Sequence, residues 1–149
     1  MGASELFPIF NYGVLPFWAL LVFAPRARLT ATLVHTGLAP IILCAVYTVL
    51  FLVAVFGDSP QLDFGSIEGV RNGFQGDIVL LAGWVHYLAF DLFIGAWCCR
   101  DARRHDISHL ALVPILVVVL MAGPAGLLLY LGLKGFRARR FTLSETIVS

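Results

Sequence analysis

Charge is what this sequence has least of. Asp, Glu, Lys and Arg make up 13% of its 149 residues, 60% are hydrophobic, and the mean hydropathy is +0.91. A water-soluble domain so composed has too little polar surface to cover itself, so the class indicated is an integral membrane protein. Ten Lys and Arg stand against nine Asp and Glu, a formal charge of +1. With no basic excess, nucleic acid is not an expected partner. Cysteine is equally sparse: Cys44 alone and Cys98 beside Cys99 form neither a disulfide framework nor a C-x-x-C motif, and read as small packing residues. Four histidines show no H-x-x-H or E-x-x-H spacing, so no metal site is expected. The opening MGASELFPIF lacks a basic n-region and a small-residue cleavage site, which argues against a signal or transit peptide. Leu6 occupies the position where myristoylation prefers Ser or Thr.

What is present is length of apolar sequence. Four segments, Phe7–Ala24, Ala31–Phe56, Ile78–Cys99 and Leu110–Leu133, each approach the ~20 residues that cross a hydrocarbon core as helix. The expected fold is an all-α membrane protein, a single domain of four transmembrane helices in a bundle, with a polar tail over 136–149. Pro8, Pro16, Pro40 and Gly123-Pro124-Ala125-Gly126 predict kinks, since neighbouring helices can satisfy the freed carbonyls. Arg100 to Asp106 reads as a charged loop. The long connection from Gly57 to Asp77 carries Phe64, Ile67, Val70 and Phe74 at three- or four-residue spacing, which predicts a short interfacial helix, a lid between helices 2 and 3. On this parse Arg26, Arg28, Arg100, Arg103 and Arg104 face Arg71, Lys134, Arg137, Arg139 and Arg140 across the membrane. Five against five gives no orientation.

In GWVHYLAFDLF, residues 83–93, two ionisable groups interrupt the third apolar run. A carboxylate at mid-span costs roughly 2.5–3.5 kcal/mol, so Asp91 needs a partner, a water-lined cavity or a proton. No Lys or Arg lies mid-membrane on the four expected helices, which leaves His86, His35, Asn11, Tyr12, Tyr47 and Thr48 as partners. Five positions at about 100° each put Asp91 some 140° around the helix from His86. They therefore face different neighbours: Asp91 shares a stripe with Trp84, Tyr87, Leu88 and Gly95, and His86 with Val79, Gly83, Phe90, Phe93 and Trp97. Gly83 and Gly95 allow a neighbouring backbone to approach. Glu68, in FGSIEGV, is a further carboxyl on a loop able to fold over a membrane cavity; the glycines around it are too irregular for a phosphate loop.

Leu15-Pro16-Phe17-Trp18 followed by Ala24-Pro25, the FGSIEGV stretch, GWVHYLAFDLF with Arg100-Asp101-Ala102, and Gly123-Pro124-Ala125-Gly126 run in this order across nearly the whole chain. The pattern resembles the small membrane proteins similar to plant neoxanthin synthase, the abscisic-acid-deficient 4-like family. Trp84-x-His86 with Asp91 is its most distinctive piece. The resemblance implies a four-helix membrane protein of carotenoid metabolism, linked in plants to conversion of the epoxide violaxanthin to the allene neoxanthin. Such an isomerisation needs an acid for the epoxide oxygen and a base for a vinylic proton, and no redox cofactor. Asp91 and His86 are the expected acid and base, with Glu68 a further catalytic candidate. Trp84, Tyr87, Phe90, Phe93 and Trp97 would lie along the polyene, joined by Asn11 and His35. Two other readings stand beside it: a non-catalytic carotenoid-binding or assembly protein, and a proton-coupled carrier. The expected partners are membrane lipid or a carotenoid, homo-oligomerisation is left open, and the expected location is a bacterial inner membrane.

Overall fold

The computed structural model describes residues 2–57 and 63–138, and all of its regular structure is helical. Among the described residues, three helical runs are long and apolar enough to cross a membrane. The first, Ala3–Phe23, is α1 (Ala3–Gly13) followed by α2 (Leu15–Phe23), joined at Val14, where Pro16 leaves the helix one donor short. The second, Arg28–Phe56, opens with a short α3 (Arg28–Thr30) and a π-helical turn (Ala31–His35) before α4 (Leu38–Phe56). Gly37 absorbs the wide turn at φ +87°, a conformation that favours glycine. The Thr30 hydroxyl, donating to the Ala24 carbonyl at 2.6 Å, closes the bend between the first two runs. The third is α6 (Asp77–Arg104), preceded by the short connecting helix α5 (Ile67–Gly73).

α6 is the axis of the molecule. Leu81, Val85, Leu88, Leu92 and Ala96 are buried along it, and α1, α2, α4 and the C-terminal helices all pack against it. Its glycines are approached by aromatic side chains and not by neighbouring backbone: Phe74 lies against Gly83, and Trp18 against Gly95. The helix also runs through the segment expected as a charged loop, ending at Arg104. Arg103 and Arg104 in its last turn suit the negative end of the helix dipole.

The fourth apolar segment is not one helix. It divides into α7 (His109–Met121) and α8 (Gly123–Ala138), with Ala122 out of helical conformation between them. The cause is local. Pro124 has no N–H to give the Leu120 carbonyl four residues back, and Gly123 and Gly126 resist the helix. The break reverses the chain. α7 begins beside the end of α2, where the His109 ring donates to the Val22 carbonyl at 2.8 Å, and reaches down α6 until the Leu120 carbonyl meets Tyr87. α8 then returns along α6: Gly123 lies at Asp91, Tyr130 at Trp97 and Lys134 at Asp101. At the tip Gly126 packs directly on the backbone of Val119.

The returning end of the hairpin is fixed by charge. Lys134, Asp101 and Tyr130 are all fully buried. The Lys134 ammonium lies 2.8 and 3.0 Å from the two carboxylate oxygens of Asp101, to which the Tyr130 hydroxyl also donates. Trp97 stands edge-on to Tyr130 and places its face 5.7 Å from the Lys134 nitrogen. Because α8 returns, Lys134 and Arg137 join Arg26, Arg28, Arg100, Arg103 and Arg104 at one end of the bundle. Of the described basic residues only Arg71 is at the other, so the expected even division does not hold; Arg139 and Arg140 lie outside the described residues. Removing one member of a buried pair strands the other, at about 3–5 kcal/mol. Lys134→Met is therefore expected to lower the melting temperature in detergent sharply, and Asp101→Leu together with Lys134→Met to recover most of the loss; equal melting of single and double variants would show that the pair is not coupled.

Candidate functional site

Gly83, Tyr87 and Asp91 occupy successive turns of one stripe on α6, which Ile94, Cys98 and Asp101 continue. The hairpin covers this stripe from Asp91 to Asp101 and stops. In the other half of α6 the same face is left free, and there lies an apolar cavity of about 460 Å³. α4 contributes Tyr47, Phe51 and Ala54 to its walls, α6 contributes Gly83, Trp84, His86 and Tyr87, and the connection between them contributes Phe64 and Phe74. Of the connection expected to act as a lid, Phe64 and Phe74, one on each side of α5, line the cavity; residues 58–62 lie outside the described residues.

His86 is on the cavity wall. Its ring lies 5.3 Å from that of Tyr47 and 4.6 Å from that of Phe90. Trp84 marks the opposite margin, where its indole N–H donates to Asn11 of α1 at 3.2 Å and its ring contacts Phe7 and Tyr87. Asn11 therefore orients a wall residue and is no partner of Asp91.

Asp91 is only 4% exposed and is not part of the cavity lining. None of the side chains expected to satisfy it does so. It sits at the N-terminus of α8, its carboxyl turned to the Gly123 backbone N–H and so close that a Cβ on Gly123 would overlap it. A helix N-terminus carries about half a positive charge and unpaired N–H groups, which makes it a suitable neighbour for a carboxyl in apolar surroundings. Asp91 Oδ2 has no hydrogen-bond partner among the described residues. Tyr87 joins the two places: its ring lines the cavity beside His86, while its hydroxyl, adjacent to Asp91, donates to the Leu120 carbonyl at 3.1 Å. That is the carbonyl Pro124 leaves bare.

The remaining sequence candidates are scattered. Glu68 is exposed on α5, 3.8 Å from Arg71, and does not reach the cavity. His35 donates to the Pro25 carbonyl at 3.2 Å at the opposite, basic end. Phe90 and Phe93 are half-exposed outside the cavity lining, and Trp97 belongs to the Lys134 cluster, so the expected aromatic stripe is not one wall. Sequence reading missed Gly123 as the neighbour of Asp91 and the assembly of Asp101, Tyr130 and Lys134. The only signal for the first was the proline at 124, which frees a carbonyl and a helix N-terminus together.

A model of the ABA DEFICIENT 4-like family matches residues 5–130. The chain belongs to that family. The match takes in the cavity, Asp91 and the hairpin tip. Protein ABA DEFICIENT 4, chloroplastic, of Arabidopsis thaliana is 28% identical over 112 residues, which are 71% of this chain and 51% of that protein. The chain spans about half the length of this curated relative. A chloroplastic relative gives no support to the expectation of a bacterial inner membrane. No solved structure matches the chain.

A methyl group at 123 cannot coexist with the present position of the Asp91 carboxyl. Gly123→Ala is expected to destabilise the protein in detergent, and the same change in an Asp91→Ala background to cost clearly less, by about 1 kcal/mol or more of coupling. Strict additivity of the two variants in thermal unfolding would disprove the contact.

Proposed function

We propose that this protein is a multi-pass membrane protein of carotenoid metabolism that admits part of a carotenoid into the cavity between α4 and α6, and there isomerises it by acid–base chemistry. The observation that carries the reading is the cavity itself: aromatic walls of a size for a cyclic end group, an imidazole on one wall, and a tyrosine ring behind which a carboxyl is held. His86 touches any occupant and is the base. Asp91 is the acid, and its approach to substrate runs through Tyr87 and the hairpin tip. Protonation of an epoxide oxygen and loss of a vinylic proton change no oxidation state, which fits a site of this kind.

A second reading is favoured by one feature. Asp91 is sealed beneath the tip and outside the cavity lining, which suits a structural carboxyl in a non-catalytic carotenoid-binding protein. Co-expression with an epoxy-carotenoid pathway followed by chromatography separates the two. An isomerase converts pigment, loses at least 100-fold of its rate as His86→Gln, and loses it as Asp91→Asn while purified protein still retains pigment. Unchanged pigments with every epoxide supplied would overturn catalysis, and wild-type protein that retains no pigment would overturn both readings.

In the membrane the chain crosses three times, through Ala3–Phe23, Arg28–Phe56 and Asp77–Arg104, and α7–α8 enters and leaves by the same face. A turn of backbone at mid-depth is tolerated where protein covers it, as α6 covers this one. Seven described basic residues against one then orient the basic end toward the face from which the chain inserts. With an impermeant thiol reagent, Arg103→Cys and Arg137→Cys should be labelled from one face and Gln75→Cys from the other; a four-span chain would instead pair 137 with 75.

A further inference from the structure

At the basic end, away from the proposed carotenoid cavity, lies a second cavity of about 370 Å³ with a predominantly polar lining. It is enclosed by three chain segments: the turn after α2 with Pro25 and Arg26, the end of α6 with Cys99 and Arg103, and the entry to α7 with Ser108 and His109. These are the points where each apolar run gives way to charge, the depth at which lipid headgroups lie.

We propose that this cavity binds the headgroup phosphate of an anionic phospholipid. Two guanidinium groups line it, Arg26 from the turn after α2 and Arg103 from the end of α6, and a guanidinium offers paired donors matched to phosphate oxygens. The His109 ring is held in place by its bond to the Val22 carbonyl at 2.8 Å, and the residue lines the cavity. The Ser108 side chain makes no capping bond and no acidic residue lies in the first turn of α7, so neither neutralises the N-terminus of this 13-residue helix. Asp106 is the one carboxylate in the lining, and against two arginines it leaves the site net positive. The surrounding field has the same sign, since seven of the eight described basic residues are at this end. The acyl chains of a lipid so held continue along the exposed apolar faces of α2 and α7, where Phe23 and Leu110 are each 84% exposed. Attraction of this kind amounts to roughly a factor of five per arginine near an anionic headgroup.

The test uses the full chain purified in detergent and titrated with short-chain phosphatidylglycerol, phosphatidylcholine or inorganic phosphate, with bound molecules counted by native mass spectrometry. One phosphatidylglycerol per chain is expected, with phosphatidylcholine held at least tenfold less tightly. Arg26→Gln with Arg103→Gln should weaken retention about 30-fold. Arg28→Gln, exposed nearby but outside the cavity, should leave it unchanged. Should the double variant fail to fold, Arg26→Gln in its exposed turn carries the test, with about a fivefold loss expected. Retention of phosphatidylglycerol that is insensitive to these arginines, or matched by phosphatidylcholine, overturns the site. Inorganic phosphate binding as tightly as the lipid overturns the lipid assignment in favour of free phosphate.

Discussion

A backbone carbonyl in apolar surroundings must have a donor, and the molecule is arranged around one that its own helix cannot supply. Pro124 has no N–H for the Leu120 carbonyl, and Tyr87 of α6 supplies the donor instead at 3.1 Å. The same proline ends α7 and begins a new helix, whose N-terminus then faces the carboxyl of Asp91. One missing donor thus accounts for the position of a tyrosine, the neighbour of a buried acid and the direction in which the chain continues. The cavity follows from it as well. A full-length fourth helix would lie over Gly83 and Trp84; a half-length one leaves that face to Phe64, Phe74 and whatever enters between them.

The two ends of the hairpin are secured by different physics. At the tip the bonds are to backbone, short in reach and dependent on glycine. At the base they are between fully buried charges, Asp101 and Lys134, with Tyr130 and Trp97 completing the enclosure. Such a pair gains less than its Coulomb attraction suggests, because both groups lose water, and its value is in registering one helix against another.

Sequence pattern resolves the first three apolar runs closely, because hydropathy summed over twenty residues is a strong signal. The separation of His86 from Asp91 is equally legible: about 100° per residue sends one toward Tyr47 on α4 and the other toward Gly123 on α8. The reversal at Ala122 is not, since hydropathy carries no direction and a Gly-Pro pair reads as a kink as readily as a turn. No side-chain pattern points to the neighbour of Asp91, because it is a backbone N–H. Lys134 reads only as one of the basic residues beyond the fourth apolar segment, for a pair with Asp101 made 33 residues apart leaves no local trace. Its stripe on α6 places Trp97 on the polyene wall, but the stripe passes from one neighbour to another along the helix, and Trp97 meets Tyr130 and Lys134.

The short arms of the hairpin also impose an order of assembly. α7 has 13 residues and α8 has 16, and neither alone spans a bilayer of about 30 Å at 1.5 Å per residue. The carboxylate that meets Lys134 and the hydroxyl that meets the Leu120 carbonyl both belong to α6. The hairpin therefore docks only after the third helix is in place, and its arrival is the step that seals Asp91 beneath the tip.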